Sequence, residues 1–201
     1  MQRRRPIGTD PAAAALAARV AATQRRLSGI YRLELGLRAE HFLVAPELAR
    51  RHLAADDGPR TGLLALEDGD ALWLGLYFDP RDAADPAAVL EETSHWLAVV
   101  WNAAQSRRVS PLVLELQAEV DSYAVARTEG ADPLRHFRQA RWRGDLCSSE
   151  RARYRAAHAA AYRYCRGLER RYPRRADLPG LLRELRRFYR RPPQTKLRAR
   201  D

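Results

Sequence analysis

Apolar residues follow helical spacing at both ends of the chain and alternate in between. Asp10 and Pro11 form a cap and first-turn pair, so a helix is predicted over 10–28. Its apolar stripe of Leu16, Val20 and Leu27 is thin, which predicts weak packing and fraying. From Ile30 to Leu37, Tyr31, Leu33, Leu35 and Leu37 alternate with Arg32 and Glu34, the period of a strand. Pro46 to Leu53 reads as a short helix. Two apolar runs, 63–66 and 71–78, flank Glu67-Asp68-Gly69-Asp70, a hairpin signal. A small antiparallel sheet of about three strands follows. Beyond it, Pro86 opens a helix to about Gln105 that is apolar over most of its circumference. Ser110-Pro111 starts the next helix, with Leu112, Leu116, Val120 and Tyr123 as its core face and Asp121 pointing to solvent. The short linker makes the two helices antiparallel neighbours. Ser148 or Ser149 caps a long helix ending before Pro173, whose buried stripe is Tyr154, His158, Ala161, Cys165, Leu168 and Tyr172. Leu178 to Tyr189 is amphipathic.

The expected class is therefore α+β, in a single domain over 1–201. Residues 1–28 hold the N-terminal helix, 29–130 the sheet and two central helices, 131–190 a basic helical region, and 191–201 a flexible tail. The length and the 46% hydrophobic content suit one core.

Charge divides the chain. The net charge is +11, yet residues 1–130 carry 15 basic and 18 acidic side chains, against 21 and 7 in 131–201. A basic C-terminal third attracts nucleic acid, an acidic protein or anionic lipid. Lys196 is the sole lysine; so strong an arginine bias also arises from GC-rich coding, with the charges simply solvated. No run approaches the roughly 20 apolar residues of a membrane span. Cys147 and Cys165 fit neither a disulfide framework nor a metal motif. A cytoplasmic protein without a membrane partner is expected.

The central helices carry the candidate chemistry. Glu91, His95 and Asn102 share one stripe, and Glu92 lies between Glu91 and His95 in the chain. Glu115, Glu119 and Ser122 form a polar stripe on the second helix. Buried carboxylates need partners or a metal, so Glu91, His95 and Glu115 are candidate ligands for a divalent ion. Arg107 and Arg108, in the linker, are the alternative partners: a salt-bridge network there would satisfy the carboxylates with no metal. His41, His52 and His136 have no acidic neighbours in sequence and read as loop or surface residues. His158 reads as a core histidine.

The run Glu91-Glu92-Thr93-Ser94-His95, with Glu115 and Glu119, resembles the gluzincin metallopeptidase pattern, H-E-x-x-H followed by E-x-x-x-D. The resemblance covers roughly residues 60–125 and implies a zincin-like arrangement. It would make Glu91, His95 and Glu115 the metal ligands, Glu92 the catalytic general base and Glu119 the carboxylate that supports a ligand; Asn102, on the stripe of Glu91 and His95, is the further supporting candidate. Glutamate replaces the first histidine and the aspartate that supports a ligand in that pattern. An oxygen-rich set favours manganese or iron somewhat over zinc and weakens activation of water, so the expectation is a metal-binding, zincin-like protein of undecided activity: a metal-dependent hydrolase if active, otherwise a degenerate, inactive metallopeptidase scaffold. Glu-Glu-Thr-Ser-His-Trp and Leu-Glu-Leu-Gln-Ala-Glu-Val-Asp are also similar to a family of uncharacterised bacterial proteins, which brings no activity with it.

The alternative function is binding of nucleic acid or an acidic partner. Arg135, Arg138, Arg141 and Arg143 interleave with Phe137 and Trp142, and Arg187 and Arg190 flank Phe188 and Tyr189. The competing reading places Phe188 and Tyr189 on a core stripe with Leu181, Leu182 and Leu185.

Overall fold

Pro11–Tyr31 (α1) is held at its start by the Asp10 carboxylate, which accepts the Ala12 N–H at 3.0 Å. The computed structural model to which it belongs describes residues 10–52, 54–55, 58–69, 71–139 and 146–197. α1 is well packed: Val20, Leu27, Ile30 and Tyr31 are buried. The helix continues through Tyr31 because Leu27, Ile30 and Tyr31 lie three to four residues apart and enter the core together. The strand expected over 30–37 is thus not formed. Arg32 ends the helix in the left-handed region (φ 53°), and its N–H bonds the Ser28 carbonyl. Leu33 is buried but Leu37 is 47% exposed, and this stretch pairs with no strand among the described residues.

A 3₁₀ turn (Ala39–Phe42) and α2 (Pro46–His52) lead to a minimal ladder, β1 (Ala54–Ala55) with β2 (Gly58–Pro59). The main sheet is the hairpin β3 (Gly62–Asp68) and β4 (Ala71–Tyr77), in register from Gly62↔Tyr77 to Asp68↔Ala71. Gly69 at the turn has φ +57°, a conformation that only glycine adopts cheaply. One face of β4 enters the core through Leu76, which is fully buried and forms a parallel bridge to Leu43.

α3 (Pro86–Ala103) starts at Asp85, whose carboxylate accepts the Ala87 N–H at 2.9 Å. α4 (Pro111–Glu129) runs back along it and ends at Gly130 (φ +76°). α5 (Arg135–Arg138) precedes α6 (Ser148–Arg171). The cap of α6 is Cys147 rather than Ser148 or Ser149: its backbone N–H donates to Glu150 Oε2 at 2.9 Å, and the Glu150 N–H reaches Cys147 Sγ. α7 (Leu178–Arg190) buries Leu181, Leu185, Phe188 and Tyr189. The tail expected to be flexible forms a further turn of helix, α8 (Pro193–Lys196), with Pro193 and Lys196 buried; residues beyond 197 lie outside the described ones.

The core is one cluster joining α1, β4, α3, α4, α5, α6 and α7. α4 is its axis. It buries residues all round, including Glu115, Gln117 and Asp121, because α3 packs on one side, α6 on another and α8 on a third. No helix among the described residues is long and apolar enough to cross a membrane.

Candidate metal centre

His95 lies on the buried side of α3, 6% exposed, between two carboxylates. Its Nδ1 is 3.5 Å from Glu92 Oε2 and its Nε2 is 3.5 Å from Glu115 Oε2. These are charge contacts rather than well-formed hydrogen bonds: His95 Nε2 and Glu92 Oε2 have no hydrogen-bond partner. One turn before His95 on α3, Glu91 completes a group. Ligand atoms of Glu91, His95 and Glu115 all lie within 4.8 Å of one another, close enough to hold one metal ion. Helical spacing places Glu91 and His95 on one face, and packing of α4 on α3 brings Glu115 opposite.

The electrostatics match a cluster with more negative than positive charge. Burial pushes Glu91 up to about 7; the His95 charge opposes this rise, while Glu92, Glu115 and Glu119 add to it. Burial alone would lower the His95 pKa, but Glu115 and Glu92 on either side hold it well above the ordinary histidine value.

Arg107 and Arg108 do not fill this point. Arg108 pairs with Glu67 at 2.9 Å on the hairpin, and Arg107 makes no side-chain ion pair among the described residues. A different arginine approaches, from α6: Arg153 Nε stands 3.5 Å from Glu115 Oε1. The adjacent Tyr154 has its phenol pushed up, first by burial and then by Glu115, Glu91 and Glu92. Sequence reasoning placed Tyr154 on a core stripe and missed Arg153. The available signal was that Tyr154 and His158, four apart, share a face, with Arg153 at its margin. That the face meets α4 is a tertiary fact. Outside the cluster opens a cleft of about 1080 Å³, walled by Leu63, Ala65 and Leu72 of the hairpin and Val99 and Leu114 of the helices, with Glu92, His95, Glu115 and Arg153 on its lining.

The expected supporting residues are placed elsewhere. Asn102 donates its side-chain N–H to the Ala98 carbonyl of its own helix at 2.8 Å. Glu119 is held by two histidines: His158 Nδ1 at 2.8 Å from Oε1, and His136 Nε2 at 3.1 Å from Oε2. Burial would raise its pKa, but these histidines hold the carboxyl below its ordinary value. His136 therefore has an acidic neighbour, which the sequence did not show because the contact spans α4 and α5. Asp121, expected in solvent, is fully buried. It accepts from Tyr31 Oη at 2.5 Å, Ser94 Oγ at 2.6 Å and Gln117 Nε2 at 2.6 Å.

The arginines expected to meet nucleic acid have partners within the chain. Arg135 donates to Gln139 Oε1 at 3.0 Å, Arg138 pairs with Asp132, and Arg187 pairs with Glu184 at 3.1 Å. Arg190 donates to the Arg32 carbonyl at 3.1 Å and lies over the Trp101 ring. Arg141 and Arg143 lie outside the described residues.

Set against protein-family models, curated protein sequences and solved structures, the chain matches none of them. The site's own chemistry therefore carries the functional argument.

Proposed function

We propose that this is a metal-binding protein, with Glu91, His95 and Glu115 holding one divalent cation in a zincin-like helix pair whose peptidase chemistry has degenerated. The observation that carries the reading is the convergence of the three ligand atoms within 4.8 Å, with His95 Nε2 left without a hydrogen-bond partner. A buried imidazole nitrogen aimed at a carboxylate but not bonded to it fits a ligand set better than a finished ion pair.

Two carboxylates and one imidazole form a hard donor set, which favours manganese or iron over zinc. The ion supplies Lewis acidity, and its charge is already offset by Glu91 and Glu115. Glu92 stands against Nδ1 of His95 and orients the ring so that Nε2 faces the ion; we assign it this positioning role in place of a general base. Arg153 balances the charge of Glu115 at the rim. Free Cys147 and Cys165 accord with a cytoplasmic setting.

The test is metal content by mass spectrometry after purification without chelators. The wild type should carry close to one equivalent of manganese, iron or zinc, and His95→Ala and Glu115→Gln should carry less than a tenth of that. No metal in the wild type, even after incubation with each of the three ions, would leave the cluster as a charge network only.

A further inference from the structure

The outward face of α6 carries positive charge alone. Its exposed positions are Ser148, Ser149, Ala152, Arg155, Ala156, Ala159, Arg163, Arg166, Arg170 and Arg171. At 100° per residue, Arg155, Arg163, Arg166 and Arg170 fall within about 80° of one another, on one stripe. At 1.5 Å rise per residue the stripe is roughly 22 Å long. No acid interrupts it. Glu150 is turned to the cap of its own helix and to Arg60 (3.9 Å), and Glu169 to Tyr123 (2.7 Å) and Arg127 (3.2 Å). Among the described residues, Arg155, Arg163 and Arg166 form no ion pair.

We propose that this face binds double-stranded DNA through its phosphate backbone, without reading base sequence. It is independent of the metal centre, and its arginines differ from Arg135, Arg138, Arg187 and Arg190.

The composition of the face selects the partner. Between the arginines there are only alanines, so a rigid helix can approach a surface closely while its guanidinium groups reach past it. Arginine forms paired hydrogen bonds to phosphate oxygens. Binding of unpaired strands relies on exposed aromatic side chains for stacking, and the aromatic beside this stripe, Tyr162, is half-buried and packs on Phe137 with ring centroids 5.4 Å apart. An amphipathic helix that enters a bilayer surface needs large apolar groups beside its charges, and protein interfaces are anchored by buried aromatics; neither is present. The B-form major groove, about 12 Å wide, admits an α-helix between its phosphate rims, whereas the A-form groove of duplex RNA is too narrow.

The experiment is fluorescence anisotropy of the full chain with a labelled 20-base-pair DNA of arbitrary sequence, from 50 to 200 mM salt. The expected dissociation constant is on the order of 1 µM at 50 mM salt, and the log–log salt slope is roughly −3.6 for four phosphate contacts. The variant Arg155→Gln, Arg163→Gln, Arg166→Gln, Arg170→Gln should bind at least about tenfold more weakly with a slope near zero. Because all four positions are exposed, its melting curve should match the wild type. Removing Arg25, Arg50 and Arg51 instead should change binding little. The proposal is overturned if the wild type does not bind at 50 mM salt, or if the fourfold variant binds as tightly as the wild type. Tighter binding to single strands, duplex RNA or anionic vesicles than to duplex DNA would overturn it too.

Discussion

Lys196 is the only lysine in the chain, and it is 3% exposed. Its ammonium donates to Gln117 Oε1 at 2.6 Å and rests 4.9 Å from the Tyr189 ring. Gln117 in turn donates to Asp121, so Lys196 offsets a buried carboxylate through one intermediate. Burial pushes Lys196 down to about 8, against the attraction of Asp121. Burial costs the ammonium more than Asp121 returns, so Lys196→Met, which keeps an apolar stem and drops the charge, should change stability by less than about 1 kcal/mol in denaturant titration at pH 7. The linkage has a definite sign. Below pH 8 the lysine is protonated in both folded and unfolded chains. Above it the folded chain releases the proton first, so wild-type stability should rise relative to Lys196→Met between pH 8 and 10. A constant gap between the two proteins over that range would contradict the placement of Lys196.

At the scale of elements, the hairpin is positioned by a close approach that has no slack. A Cβ at Gly75 would stand 2.8 Å from Val44 Cγ1 and 3.6 Å from Leu64 Cβ. Val44 is β-branched and cannot swing its methyl away freely. Gly75→Ala should therefore cost about 1–3 kcal/mol, read from thermal melts, by pushing β4 off the segment that leads to α2. Helices α3 and α4 obey a different constraint. Their polar residues are largely out of solvent, and burial leaves those groups one another, side chains from packed elements such as Tyr31, Arg153 and His158, or a ligand.

At the scale of the molecule, metal binding and folding are linked. The three ligands come from two helices and would be scattered in the unfolded chain, so an ion that binds them stabilises only the folded form. At a free metal concentration about 100 times the dissociation constant, stabilisation should reach about 2.7 kcal/mol. For a chain of this size that is a rise of roughly 5–11 °C in Tm. His95→Ala should show no such rise with manganese, iron or zinc.

Much of the helical framework and the hairpin were legible in the chain, because the cap at Asp10, the Ser110-Pro111 pair, the prolines at 11 and 86, and the turn at Gly69 act within a few residues of themselves. The pairing of Glu91 with His95 was legible for the same reason: four residues on a helix is a local distance. Tertiary structure alone decided that 30–37 is no strand, since alternation of leucines has no meaning without a neighbouring strand to bond. It alone buried Asp121, brought Lys196 out of the tail to meet it, gave Glu119 to His136 and His158, and placed Arg153 rather than Arg107 or Arg108 beside Glu115. The contacts among these join groups 17 or more residues apart in the chain. Burial and charge compensation depend on which surfaces meet, and a single chain read in order carries periodicity but not those distances.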